Sequence, residues 1–147
     1  MAVEQAVVFK LGVEEYALSV AEVKEIINYG GLTKIPNAPQ YMEGIINLRG
    51  KIIPVINVAA KFGLPFIPGD NTKTIIVETA ESDIGIMVSE VSEVLNIDQT
   101  NIEKNPVIAR TNAAIAGIAK INTRLIILLN LAEIFSRQEL QEFDEIS

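Results

Sequence analysis

The sequence predicts a mainly β protein in which two small barrels share one hydrophobic face. Short runs of β-branched and aliphatic residues alternate with turn residues, and the same succession of runs occurs twice in the 147 residues. Each half, at about 65 residues, is too small for a large sandwich or an independent core. Closing each sheet into a barrel removes its exposed edges, and pairing the barrels completes the core.

The first half contains two predicted hairpins, each turning at a glycine. They join residues 7–11 to 16–19, and residues 45–48 to 51–56. The second hairpin has the two-residue turn Arg49-Gly50. Between the hairpins, Val20, Val23 and Ile26/Ile27 recur at a spacing of three to four, which predicts one short helical turn.

A short helix and a linker are predicted to end the first half. The helix covers residues 57–62 and stops at Gly63 and Pro65. Residues 65–71 contain a second proline and a glycine, which indicates a linker. At the end of the chain, apolar residues at helical spacing predict an amphipathic helix over 131–143 with its acidic face outward.

The two halves can be aligned on each other. At an offset of 68, residues 16–26 match 84–94 with four identities in eleven pairs. At an offset of 73, residues 44–62 match 117–135 with six identities in nineteen pairs. The common order and hydrophobic classes predict one domain over 1–147, with a first barrel at 6–68 and a second at 72–131.

Composition excludes several classes of function. The chain has no His and no Cys, so it lacks the residues for Ser-His-Asp or Cys-His catalysis and for zinc or iron–sulfur sites. The net charge is −7, and the sequence lacks the basic stripe with interleaved aromatics that would indicate nucleic-acid binding. The longest apolar run is the five residues 125–129, far short of a membrane span. We therefore expect a cytoplasmic protein without a cofactor or metal.

Two weaker signals for chemistry remain. The stretch from Gly44 to Ile52 resembles a phosphate-binding loop, but its glycine spacing and final residue do not fit that motif. Paired carboxylates could serve a small enzyme or a ligand-binding barrel, although a solvated surface explains them better. These pairs are Glu14/Glu15, Glu22/Glu25, Glu81/Asp83 and Glu90/Glu93.

Arg49 is a candidate binding residue because it lies in a predicted tight turn. Its guanidinium is either a solvated turn group or a fork displayed to a carboxylate or carbonyl of a partner. Val23 and Glu25 carry the same ambiguity: they belong to the core and the solvated surface, or to the rim of a partner groove. The residues alone leave both readings open.

Several motifs in order resemble the CheW family of chemotaxis coupling proteins. They are residues 8–12, 15–18, 23–26, 35–39, 44–50 and 53–56, of which Asn47-Leu48-Arg49-Gly50 is highly specific. The resemblance covers about residues 6–137. It implies two five-stranded SH3-like barrels around a shared hydrophobic core. One departure is Asn57, where many relatives carry Asp; Asn still caps a helix.

The resemblance also implies a function and a set of contacts. Members of the family are non-catalytic adaptors that join the cytoplasmic tips of chemoreceptors to the regulatory domain of the histidine kinase CheA. The receptor contact is associated with positions matching Val23, Glu25 and Arg49, and the kinase contact with positions matching Leu32 and Gly44. We therefore expect a protein that is monomeric when alone and is recruited to membrane-associated receptor arrays.

Overall fold

A computed structural model of the protein describes residues 3–79, 82–104 and 112–146. Strands dominate the described chain, which confirms the predicted mainly β fold. The strands are β1 (Val3–Leu11), β2 (Glu14–Ser19), β3 (Val23–Asn28), β4 (Met42–Leu48), β5 (Lys51–Asn57), β6 (Lys73–Glu78), β7 (Asp83–Val88), β8 (Glu90–Asp98), β9 (Ile102–Glu103), β10 (Ile115–Ile121) and β11 (Arg124–Leu129). The helices are α1 (Val58–Lys61), α2 (Leu131–Ile134) and α3 (Arg137–Ile146), with 3-10 helices at Val20–Glu22 and Gln99–Asn101.

Each of the two sheets takes a hairpin from the opposite half of the chain. One sheet has the strand order β3-β6-β7-β5-β4, and the other has the order β8-β1-β2-β11-β10-β9. The hairpin β6–β7 thus lies among first-half strands, and β1–β2 lies among second-half strands. The expected division into barrels at 6–68 and 72–131 does not match this topology. A repeat shows which strands are equivalent, but not with which copy each strand pairs.

Each sheet closes into a barrel where its two edges meet. In the five-stranded sheet (the first barrel), Thr33 and Ile45 exchange two backbone hydrogen bonds of 2.9 Å, which joins the segment after β3 to β4 at the opposite edge. In the six-stranded sheet (the second barrel), the 3-10 helix Gln99–Asn101 connects the edge strands β8 and β9. The short strand β9 takes the place that Thr33 has in the first barrel, which raises the expected five strands to six.

Apolar side chains form three clusters, one inside each barrel and a larger one between them. In β1, Val7 and Phe9 face the shared cluster, whereas Ala6 and Val8 face the interior of the second barrel. The interior of the first barrel contains Ile46, Ile53, Val55, Ile76 and Met87. Successive strand residues point to opposite faces, so sheets buried on both sides need nearly continuous apolar runs. The interiors are therefore packed with side chains, as in other small barrels.

The predicted helical turn from Val20 onward is mostly a strand. Only Val20–Glu22 is helical, as one 3-10 turn in which the Ser19 hydroxyl accepts a hydrogen bond from the amide of Ala21. The chain then enters β3, which pairs antiparallel with β6. The apolar spacing suits a helix, but β-branched residues and pairing with a neighbouring strand favour the extended conformation.

The C-terminal segment forms two helices where the sequence predicts one over 131–143. Phe135 is extended and separates α2 from α3. Ser136 and Glu139 form a capping box, in which each side chain accepts a hydrogen bond from the other residue's backbone amide, at 3.1 and 2.8 Å. This reciprocal cap starts a new helix after Phe135. The side chain of Phe143, part of the predicted apolar face, lies outside the described residues.

Lys61 of α1 fixes α3 to the body of the protein. Its ammonium donates to the Glu139 carboxylate at 2.6 Å and lies 4.6 Å from the centre of the Tyr41 ring. Burial alone would raise the pKa of Glu139, but hydrogen bonds from Lys61, the Ser136 amide and Tyr41 outweigh burial and lower it to about 2. The carboxylate is therefore charged in the folded protein well below the pH at which it protonates in the unfolded chain.

Docking of α3 is expected to weaken in acid because of this carboxylate. Since its pKa is lower in the folded than in the unfolded protein, its contribution is complete above about pH 4.5 and is lost as the pH falls toward 2. We expect Glu139→Gln to lower the melting temperature by about 3–6 °C at pH 7. Thermal melts of both proteins from pH 7 to 2.5 should show the difference shrinking below pH 4.5. A constant difference would contradict this role.

Candidate functional site

Arg49 lies in the tight turn between β4 and β5. The backbone φ is 52° at Arg49 and 88° at Gly50, and the Gly50 amide donates to the side-chain oxygen of Asn47 at 2.8 Å. Two successive residues with positive φ are typical of a type I′ turn, as expected for a two-residue hairpin connection. Arginine is disfavoured in this left-handed region, where Gly and Asn are common. The equivalent position in the second barrel is Asn122, with a φ of 55°.

Glu25 lies on β3 and forms an ion pair with Arg49. One guanidinium nitrogen donates to Glu25 Oε1 at 3.4 Å, and the other donates to Oε2. The Arg49 side chain is 71% exposed and that of Glu25 is 31% exposed. Hydrogen bonding from Arg49 lowers the pKa of Glu25, and hydrogen bonding from Glu25 raises that of Arg49. The guanidinium, predicted as a solvated turn group or as a fork displayed to a partner, is thus paired with a carboxylate of its own chain.

A β-bulge separates Val23 from Glu25. Val23 is paired with Val77, and Glu25 is paired with the adjacent residue Ile76, so Lys24 is the extra residue of the bulge. Bulges re-aim side chains along a strand. Val23 is half-buried against the shared cluster, whereas Glu25 lies opposite a residue of the first-barrel interior. The structure therefore brings Glu25 and Arg49 together at the rim of the first barrel. Val23, before the bulge on the same strand as Glu25, packs instead against the shared cluster.

A second ion-pair cluster adjoins the Glu25–Arg49 pair. The Asp83 carboxylate accepts hydrogen bonds of 2.9 Å from both Lys24 and Lys51. Burial would raise the pKa of Asp83, but these two hydrogen bonds outweigh it and lower the pKa. All five residues line one shallow depression of about 230 Å³. The sequence interpretation missed this cluster, although the aligned repeat places charged residues at matching positions: Asp83 on Glu15, and Lys51 on Arg124.

Leu32 and Gly44, predicted to contact a kinase, are neighbours at the seam of the first barrel. A Cβ atom added to Gly44 would lie 2.6 Å from the Thr33 carbonyl oxygen and 3.5 Å from the Leu32 Cβ. Gly44 is buried, whereas Leu32 is half-buried against the interior of the first barrel. The equivalent Gly117 in the second barrel has the Glu103 carbonyl at 2.9 Å from such a Cβ. Gly44 is therefore needed to let two backbones approach.

Several of the paired carboxylates identified in the sequence form separate ion pairs with basic side chains. Glu15 and Glu93 both bind Arg124, at 2.6 and 3.0 Å, and Glu90 binds Lys10 at 3.2 Å. Glu81, proposed as the partner of Asp83, lies outside the described residues. Within the described chain, no three metal-ligating side chains cluster as a metal site would require. Nor does any helix in these residues have the length and apolarity to cross a membrane.

Two small barrels that exchange hairpins around a shared core define the architectural class of this protein. The chain matches the CheW-like domain over residues 5–139, so it belongs to the CheW family. This confirms the resemblance seen in the sequence. The family comprises scaffolding proteins of chemotaxis rather than enzymes, and this chain is a non-catalytic scaffold of that kind.

Individual relatives agree with this assignment. The chain is 32% identical to the chemotaxis protein CheW of Klebsiella aerogenes, over 98% of this chain and 89% of that protein. It is 34% identical to the chemotaxis protein CheW of Treponema pallidum, over 94% and 85% of the two chains. The crystal structure of the scaffolding protein TtCheW from Thermoanaerobacter tengcongensis superimposes with a TM-score of 0.84, at 39% identity and covering 92% and 90% of the two chains.

Proposed function

We propose that this protein is an adaptor that couples the cytoplasmic tips of chemoreceptors to the regulatory domain of the histidine kinase CheA. It would act in the cytoplasm, at membrane-associated receptor arrays, without a cofactor. Membership of the CheW family supports this role. The observation that carries the receptor contact is Arg49, which occupies a backbone conformation that disfavours arginine. Asn or Gly would suit the backbone of this turn better, so the role of Arg49 lies in what its side chain binds.

The receptor is proposed to contact Val23, Glu25 and Arg49. Glu25 uses two of the five guanidinium donors and fixes the orientation of the group, while the remaining donors face solvent. A side chain that is already oriented loses less conformational entropy on binding. Val23, before the bulge in the same strand, is half-buried on the side of the shared cluster. In this proposal a helical partner offers a carboxylate or carbonyl to Arg49 and an apolar side chain to Val23.

The kinase regulatory domain is proposed to contact the seam of the first barrel around Leu32. Leu32 presents an apolar side chain there, and Gly44 shapes the seam through its backbone. In this proposal the receptor and the kinase bind different parts of the first barrel. An adaptor needs this separation, because two partners that compete for one surface cannot be held together.

The proposal is tested by mixing the purified protein with a receptor tip fragment and the kinase regulatory domain. We expect each partner to bind alone and all three to elute as one ternary complex on size-exclusion chromatography. Calorimetric titration of one partner into the complex with the other should give an affinity within about threefold of that for the free protein. Mutual displacement of the partners would overturn the adaptor role.

A further inference from the structure

The buried carboxylate of Asp83 joins the two elements that carry Glu25 and Arg49. Asp83 begins β7, and its Oδ2 atom lies 2.9 Å from the ammonium groups of both Lys24 and Lys51. Lys24 precedes Glu25 on β3, and Lys51 begins β5 directly after the turn that contains Arg49. In the strand order of this sheet, β6 and β7 lie between β3 and the β4–β5 hairpin. A single carboxylate therefore bridges them.

We infer that Asp83 is a positioning residue for the receptor contact, holding β3 and the β4–β5 turn at the spacing at which Glu25 meets Arg49. This inference rests on the proposed function. The Asp83 side chain is only 8% exposed, whereas Lys24 and Lys51 are 44% and 58% exposed. The anchor is thus fixed in the barrel wall, and the lysines reach it from the rim.

Both lysines pair with Asp83 although Glu25 lines the same depression. Without a negative charge at position 83, Lys51 loses its ion-pair partner and Lys24 keeps only the longer contact of 3.7 Å to Glu78. Both lysines remain beside Glu25 in the same depression. Either ammonium can then pair with Glu25 in competition with Arg49, because ion pairs at an exposed rim exchange readily. The guanidinium would lose its fixed orientation. Removing Asp83 should therefore weaken receptor binding without removing any group that touches the receptor.

The second barrel provides a matched control. Glu15 on β2 occupies the position equivalent to Asp83 and binds Arg124, which is equivalent to Lys51. The Arg124 guanidinium donates to both Glu15 oxygens, at 3.0 and 2.6 Å. Each pair connects an exchanged hairpin to the barrel that receives it. Glu15→Gln thus removes the same kind of contact outside the proposed receptor surface.

The test compares Asp83→Asn with Glu15→Gln. Both amides preserve side-chain size, and we expect both to lower the melting temperature by about 3–8 °C. At a temperature where both variants are fully folded, Asp83→Asn should weaken binding of a receptor tip fragment about 5- to 20-fold, and Glu15→Gln less than about twofold. Equal effects of the two variants on affinity would overturn the positioning role.

A double-mutant cycle with Arg49→Gln supplies a readout that general destabilisation would not change. If Asp83 acts through the Glu25–Arg49 pair, Asp83→Asn should have less than about a twofold further effect once Arg49 is replaced. Additive effects would overturn the inference. If Arg49→Gln itself leaves receptor affinity unchanged, the proposed receptor contact fails instead, so failure of the inference and failure of the proposed function give different results.

Discussion

Replacing Gly44 with alanine is expected to destabilise the protein by about 2–4 kcal/mol and to lower its melting temperature by about 6–15 °C. The new Cβ would lie 2.6 Å from the Thr33 carbonyl oxygen, and the backbone φ of 153° is one that only glycine adopts readily. Both obstacles involve backbone atoms, which cannot rotate away as a side chain can. The bridge between Thr33 and Ile45 must open to admit the methyl group, so the seam of the first barrel is lost.

Two other glycines make this prediction specific. Gly63 also has a positive φ, 73°, but an added Cβ would meet nothing within 4 Å, so Gly63→Ala measures backbone strain alone. Gly117 lacks a positive φ but faces the Glu103 carbonyl in the equivalent seam, so Gly117→Ala measures the close approach alone. Thermal melts should rank Gly44→Ala and Gly117→Ala well below Gly63→Ala. Similar melting temperatures for all three would contradict the close-approach argument.

The behaviour of Gly44→Ala also affects how kinase binding is interpreted. Because the substitution opens the seam that holds Leu32, loss of kinase binding is expected even if Gly44 touches no partner. Leu32→Ser is the better probe of the proposed contact, since Leu32 is half-buried at the surface and its replacement leaves the backbone bridge intact. Kinase affinity should be measured for both variants at a temperature below the melting transition.

The sequence predicts the strands and hairpins of the fold better than it predicts which strands pair with one another. The repeat correctly aligned β2 with β7 and the β4–β5 hairpin with β10–β11, because apolar alternation and turn glycines are local signals. The exchange of hairpins left no such signal. It depends on parallel pairs, β2 with β11 and β5 with β7, between strands far apart in the chain. A strand with apolar residues on both faces satisfies either pairing.

The candidate site shows the same limit. The sequence identified Arg49 by its place in a turn, but not that Glu25, 24 residues earlier, binds it. Asp83 was read as one of a surface pair, and its burial follows only once β7 is placed in the first barrel. Contacts of this kind depend on tertiary pairing, whereas turn chemistry depends on neighbours along the chain.

Arg49→Asp is expected to weaken receptor binding roughly 30- to 1000-fold while leaving the fold intact. The Arg49 side chain is 71% exposed, and Asp tolerates the positive φ of the turn, so the melting temperature should fall by less than about 4 °C. The substitution removes the donors proposed to bind the receptor and leaves Asp facing Glu25. Affinity for the kinase regulatory domain should be nearly unchanged, because its proposed contact lies around Leu32. A drop in melting temperature beyond about 8 °C would make Arg49 a structural residue, and equal losses of both affinities would contradict separate surfaces.

The double variant Glu25→Arg/Arg49→Glu determines what the receptor recognises. It retains an ion pair between β3 and the turn, with the positive charge now on β3 and the negative charge in the turn. The melting temperature should therefore lie within about 2 °C of the wild-type value. If the receptor binds the outward guanidinium of Arg49, the variant's affinity for the receptor should be at least about tenfold weaker than that of the wild type, because a carboxylate now occupies the turn. Recovery of wild-type affinity would mean that the pair serves only to hold β3 against the turn. Because stability and charge placement separate in this variant, a melt and a receptor titration on the same sample distinguish the two roles.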